Sequence, residues 1–398
     1  MPAYSGKFQY LDESGAALNE GSCQVSFDAE TCTVTPSSGI PLAFDLGDVD
    51  RVAPAEWELR LALYTGRTVL LRQFGAAFGR MSEELLAAWR DRTVRCLLLE
   101  DLEEVGRFNG TASGAPAEIR ISKSNLAVLP VAAAPVQWRL AEVDSVSFDD
   151  ATYTVTLSSG SERLMIGKLA KKTEEFREKL GATLDALRTH EAEALHAAFP
   201  FLNPDQLQRL VATMPEGRSA RLAALAAIHP KLPEALIARA VGERLKPYFD
   251  VLRARAAGDS LMTGFKFIRP DEEEGEAEEP DEQPDQAQPL FFWFFFPMAG
   301  KLAWEATTGS GRATYFFRAP GTVEEAVTHL TRGLALVNFR REPVYLSDDS
   351  LEQQQRYHRY AIGARKLPDL RALRSAFLGR AIHSSLEAWT AQVDGFAR

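Results

Sequence analysis

Residues 31–52 read TCTVTPSSGIPLAFDLGDVDRV, and residues 125–146 read NLAVLPVAAAPVQWRLAEVDSV. Set 94 positions apart, their apolar residues stay in step: Val34 falls on Val128, Pro41 on Pro135, Phe44 on Trp138, Leu46 on Leu140 and Val49 on Val143. Asp50 falls on Asp144 at the same spacing. Worked outward without a gap, the match runs from Val25 on Ile119 to Leu71 on Met165, taking in Leu59 on Tyr153, Leu61 on Val155 and Gly66 on Gly160. A register held this long predicts two copies of one small β-rich domain.

Each copy reads as short strands closed by a helix. Leu59, Leu61 and Leu63 alternate with Arg60 and Ala62, the period of a half-buried strand. Tyr153, Val155 and Leu157 alternate in the same way. Gly66 and Gly160 mark turns, where a residue tolerant of positive φ is useful. A strand ahead of each copy is expected from Gly6-Lys7-Phe8 and Gly106-Arg107-Phe108. Met81, Leu85 and Trp89 form an apolar helical stripe in copy one, and Phe176, Leu180, Leu184 and Leu187 form one in copy two.

A curled antiparallel sheet of about seven strands with a C-terminal helix resembles the pleckstrin-homology-like superfold, including its bacterial and GRAM-type members. The resemblance covers roughly residues 1–190 and implies two tandem β-barrels, 1–100 and 101–190, acting as binding or scaffolding modules rather than catalysts. Lipid-binding members place Lys and Arg in the loop after the first strand. Here that loop carries Asp12 and Glu13 in copy one and Thr111-Ala112-Ser113-Gly114 in copy two. The clearest basic cluster is Lys168, Lys171 and Lys172 with Arg177 nearby, a candidate contact for an anionic surface. At the 94-residue spacing copy one has Phe74, Ala77 and Phe78 in place of the three lysines. A solvated helix start is the alternative reading of the cluster.

The expected architecture is α+β and multidomain. After the repeats comes a helical connector, 191–258, with proline corners at Pro204, Pro215, Pro230 and Pro233. An α+β domain follows over 259–398, interrupted by an acidic insertion at 271–288 that is too polar to bury a core. Leu290–Phe296, six aromatics after one leucine, reads as a central strand buried on both faces. The sharper reading makes Phe291, Trp293 and Phe295 an exposed patch for a partner. Strands are also expected at 264–268, 302–307, 313–318 and 343–346, with Gly309-Ser310-Gly311 as a hairpin turn. Helices are expected at 322–334, 350–363 and 368–393. The last two carry Arg356, Arg359, Arg365, Lys366, Arg371, Arg374 and Arg380, a basic face suited to nucleic acid, an acidic protein or the chain's own acidic insertion.

The net charge of −10 is local: ten acidic residues and no basic ones lie between Asp271 and Asp285. The remaining charges balance, so nothing demands a nucleic-acid partner. Cys23, Cys32 and Cys96 have no metal-binding spacing and read as buried thiols. The N-terminal residues show no apolar signal core, and the expected address is cytoplasmic. No GxSxG, HExxH or phosphate-loop motif is present. His383-Ser384-Ser385 falls in an expected helix. No cofactor, metal or small-molecule ligand is inferred. The leading expectation is a non-enzymatic scaffold with protein partners. The alternatives are peripheral membrane binding, or capture of a basic protein by the acidic insertion. Tandem PH-like modules with an acidic segment also resemble certain histone-chaperone subunits, which implies the latter. A further alternative is an enzyme with an unrecognised site in 259–398.

Overall fold

The computed structural model describes residues 3–98, 103–131, 133–257, 260–267, 290–307 and 313–397. The acidic insertion and Gly309-Ser310-Gly311 lie outside the described residues. The fold is α+β and divides into two compact units, residues 1–181 with 347–368, and residues 182–346 with 369–398.

In the first unit, β1 (Ala3–Leu11), β2 (Ala17–Phe27), β3 (Thr31–Pro36), β4 (Leu42–Asp45), β5 (Val49–Ala55), β6 (Glu58–Leu63) and β7 (Thr68–Arg72) precede helix α1 (Phe78–Leu98). They form one antiparallel sheet in the order β4-β3-β2-β1-β7-β6-β5. Its core joins Val25, Val34, Leu46, Leu59, Leu61 and Leu71 to Met81, Leu85 and Trp89 of α1. The indole of Trp89 donates to the Val49 carbonyl at 2.8 Å, which ties the helix to the start of β5.

The second copy repeats this with β8 (Glu104–Ala112), β9 (Ala115–Ser122), β10 (Asn125–Pro130), β11 (Val136–Arg139), β12 (Ser145–Asp149), β13 (Thr154–Ser159) and β14 (Glu162–Gly167), followed by α2 (Thr173–Ala198). The strand order is equivalent, β11-β10-β9-β8-β14-β13-β12.

The 94-residue spacing holds for β3 and β4 and for the 3-10 turns Leu46–Asp48 and Leu140–Glu142. It fails on either side. Trp57 and Tyr153 share positive φ (61° and 52°) and stand exposed at the start of β6 and β13, so Tyr153 matches Trp57 and not Leu59. A longer turn in copy two, folded by Asp149 bonds to Ala151 N and Thr152 Oγ1, causes this slip of two. At the first strand, Tyr4 pairs with Val25 as Phe108 pairs with Ile119, so Tyr4, not Phe8, corresponds to Phe108. Both of these slips are even, and an even slip returns every side chain to the same face. At the last strand the slip is one: Phe8 pairs with Leu71 as Ala112 pairs with Ile166, so buried Leu71 matches Ile166 and not Met165, which is exposed.

In the second unit, β15 (Ala220–Arg221), β16 (Met262–Phe267), β17 (Leu290–Met298), β18 (Lys301–Ala306), β19 (Ala313–Arg318) and β20 (Phe377–Ile382) form an antiparallel sheet in sequence order. The helices are α3 (Pro204–Thr213), α4 (Leu222–Ile228), α5 (Leu232–Ala240), α6 (Lys246–Arg255), α7 (Val323–Leu336), α8 (Glu342–Tyr345), α9 (Asp348–Gln353), α10 (His358–Lys366), α11 (Pro368–Ala376) and α12 (Leu386–Ala397); α9 and α10 group with the first unit. Phe292, Phe294 and Phe296 share a core with Leu210, Leu225, Leu236 and Phe249 of the 191–258 helices and with Trp389 of α12. The helical segment and the sheet therefore have one interior. The alternate residues Phe291 and Trp293 meet Phe339 at 5.9 and 4.1 Å, just beyond α7. β17 is thus covered on both faces, which is why its run is continuously apolar. Gly264 fits because a Cβ there would stand 2.4 Å from the Trp293 ring and 2.6 Å from the Arg218 carbonyl.

Three expectations are corrected. The single helix expected over 350–363 is two, Asp348–Gln353 and His358–Lys366, parted by a 3-10 turn at Gln355–Tyr357. Residues 342–345 form a short helix rather than a strand. The helix expected over 368–393 is broken by β20, whose backbone pairs with β19 from Ala313↔Ile382 to Phe317↔Phe377. Ladder pairing of an edge strand outweighs the modest helical preference of this segment. His383 consequently lies between β20 and α12, outside any helix.

Candidate functional site: an acidic corner of the first repeat

The 3-10 turn Leu46–Asp48 and the start of β5 bring Asp45, Asp48 and Asp50 to one corner of the first sheet. Asp45 caps the turn by accepting from Gly47 N at 2.6 Å. Arg92 of α1 grips the same carboxylate twice, Nε to Oδ1 at 2.9 Å and Nη2 to Oδ2 at 2.6 Å. Burial works against the Arg92 charge, yet the Asp45 hydrogen bonds outweigh it and raise the pKa. Asp45 is therefore held by groups outside α10.

Helix α10 supplies two complementary cations, Arg365 and Lys366, and an imidazole. His358 Nε2 stands 3.6 Å from Asp45 Oδ2. Arg365 donates to Asp48 at 2.5 Å and to Glu352 at 2.6 Å, and its guanidinium lies 4.1 Å from the Tyr64 ring centroid. Lys366, with a side chain only 6 % exposed, donates to the Val49 carbonyl at 3.1 Å and to Asp50 at 3.3 Å. Burial pushes the Asp48 carboxyl above its ordinary value, with Arg365 pulling the other way. Between these charges Ile362 fills the space a side chain at Gly47 would need: a Cβ there would meet Ile362 Cδ1 at 2.9 Å. Cys96 Sγ lines the same niche, and burial pushes its thiol up to about 12. A thiol so held is inert packing.

The second repeat holds a helix differently. The outward side chains of β9 are buried by α1, where Glu118 and Arg120 are 6 % and 5 % exposed. Arg120 pairs with Glu118 at 2.6 Å and with Asp91 at 2.7 Å, and Arg90 pairs with Glu118 at 3.1 Å. The corresponding positions of β2, Gln24 and Ser26, carry no charge.

Of the residues singled out from sequence, Lys168, Lys171 and Lys172 are exposed at the corner leading into α2. Arg177 is turned aside, paired with Glu174 at 2.9 Å and stacked 4.0 Å from the Phe148 centroid. Phe291, Trp293 and Phe295 are 7 %, 0 % and 0 % exposed, so they are core and form no surface patch. Arg365 and Lys366 belong to the expected basic face, but their acidic counterparts here are Asp48 and Asp50. Arg374 instead donates to the Pro343 and Leu346 carbonyls, and Arg380 covers the Tyr345 ring at 4.1 Å. The acidic corner was missed from sequence, although three aspartates in Asp45-Leu-Gly-Asp-Val-Asp50 were its signal.

A buried polar cluster of the second unit gathers around Glu305. Glu305, fully buried, accepts from Thr314 Oγ1 at 2.5 Å and lies 3.3 Å from His383 Nε2. Trp389 Nε1 donates to Thr314 at 3.1 Å, and Tyr248 stacks on His383 at 4.4 Å. Burial pushes the Glu305 carboxyl up, opposed by His383 and Thr314. Among the described residues no helix is long and apolar enough to cross a membrane, and no cluster of metal-binding side chains occurs. No known protein-family model matches the chain, and no curated protein matches it either.

Proposed function

We propose that this is a non-enzymatic binding and scaffold protein, and that its two seven-stranded repeats are PH-like modules that hold helical protein segments. The meander order with paired first and last strands, each followed by a helix, supports the PH-like reading. The observation that carries the function is the acidic corner, which already receives α10 through His358, Arg365 and Lys366. The buried acid–imidazole pair Glu305 and His383 has side chains 0 % and 7 % exposed, so it is closed to a substrate. The test is affinity capture from native lysate with the full-length chain and its Asp48→Lys variant, read by mass spectrometry. A stoichiometric protein partner lost in the variant is the expected result. Capture unaffected by the variant, or no partner at all, contradicts it.

A second reading, contact with an anionic membrane surface, rests on the exposure of Lys168, Lys171 and Lys172. Sedimentation with phosphatidylserine vesicles, abolished by Lys171→Glu, would favour it.

A further inference from the structure

We infer that the acidic corner of the first repeat is a receptor for a basic amphipathic helix of a partner protein, and that residues 347–368 are an internal occupant which such a helix displaces. The inference rests on the binding-protein reading and names its ligand. Residues 347–368 group with the first unit although the chain on both sides of them belongs to the second. Within this segment α9 has six residues and α10 nine, with a 3-10 turn between them. Both helices are shorter than the roughly 12–15 residues an isolated helix needs in water, so docking supports their order.

The recognition pattern is explicit. His358, Ile362, Arg365 and Lys366 stand at i, i+4, i+7 and i+8, one face of a helix. Ile362 enters the Gly47 niche, while the three basic groups meet Asp45, Asp48 and Asp50. His358 is a third exposed and Asp50 more than half, so these contacts are partly solvated and weaken with salt. A partner helix with the same spacing and a stronger charge in place of His358 competes for the same seat.

The probe is a fluorescently labelled peptide of residues 347–368, titrated into the full-length chain. Three forms are compared: wild type, Arg365→Glu/Lys366→Glu, and that double variant with Asp48→Lys added. Hydrogen exchange over 358–366 reports whether the segment is released. The expected result is release in the double variant, with peptide affinity at least about tenfold above wild type, and loss of binding once Asp48 is reversed. Release without peptide binding, equal affinity for wild type and double variant, or equal affinity for a scrambled peptide overturns the inference and leaves the binding-protein reading standing. Unchanged exchange in the double variant overturns both. Self-association of wild type, abolished by Asp48→Lys, assigns the seat to a second copy of the chain and overturns the foreign-partner claim.

Discussion

Arg365 and Asp48 are 317 positions apart in the chain and meet at 2.5 Å, with the guanidinium also lying over the Tyr64 ring. The carboxyl is mostly buried and sits above its ordinary pKa despite that guanidinium. The two halves of the pair are therefore not equivalent.

Removing the cation costs more than neutralising the acid. Arg365→Met leaves a desolvated carboxylate and should destabilise the first unit by about 1–3 kcal/mol, with Asp48→Asn costing less. The pH dependence has a definite sign. A carboxyl raised in the folded state contributes stability fully below its unfolded value, near about 4, and loses it as pH rises through the folded value. The deficit of Arg365→Met relative to wild type should thus grow as pH is raised from about 4. Denaturation midpoints across that range check it, and a deficit that shrinks with pH contradicts it.

Gly47 sets the apolar fit. A side chain there meets Ile362 Cδ1 at 2.9 Å and Cys96 Sγ at 3.1 Å. Gly47→Val should cost about 1–3 kcal/mol by overpacking and accelerate exchange over 358–366. Exchange unchanged from wild type would show that Ile362 does not need this niche.

The ion network joining α1 to β9 should behave as a unit. Arg120→Met leaves the buried Glu118 with Arg90 as its remaining cation and is expected to cost about 1–3 kcal/mol. Glu118→Leu combined with Arg120→Met should recover much of that loss, because the charges that lose a partner, Arg90 and Asp91, are 21 % and 45 % exposed and neither is fully buried. A double variant as unstable as the sum of the singles refutes the coupling.

In the second unit, Glu305 faces Thr314 and His383, with Arg341 close enough to act on its charge. Its carboxyl is raised, so its stabilisation is complete below the unfolded carboxylate range and declines as pH rises. Glu305→Gln keeps the shape and an acceptor for Thr314 without the charge. Melting temperatures should be higher than wild type at neutral pH and show a flatter pH dependence. A variant less stable at pH 7 would mean that the charged pair with His383 is net favourable.

Much of this architecture was legible in the sequence, for reasons that also set the limit. The repeat showed because Leu46/Leu140 and Val49/Val143 must be buried in both copies. Its true register was largely hidden because strand alternation has period two: the slips at Tyr153 and at Phe108 are even and keep inward residues inward, and only the slip of one at the last strand sets buried Leu71 against exposed Met165. β17 was readable from its two-faced hydrophobicity. β20 was not, since the pairing of Phe377–Ile382 with β19 is a long-range event that local preference cannot report. The same holds for the candidate site: Asp48 and Arg365 each looked like ordinary surface charge, and only the fold brings them together.

The most direct test of the acidic corner as a helix seat is a thermodynamic cycle at Asp48 and Arg365. Exchange protection over 358–366 is measured in wild type, Asp48→Asn, Arg365→Met and the double variant. A coupling above about 1 kcal/mol is predicted. Single effects that add to within about 0.3–0.5 kcal/mol would show that the pair does not hold the helix and would contradict the account.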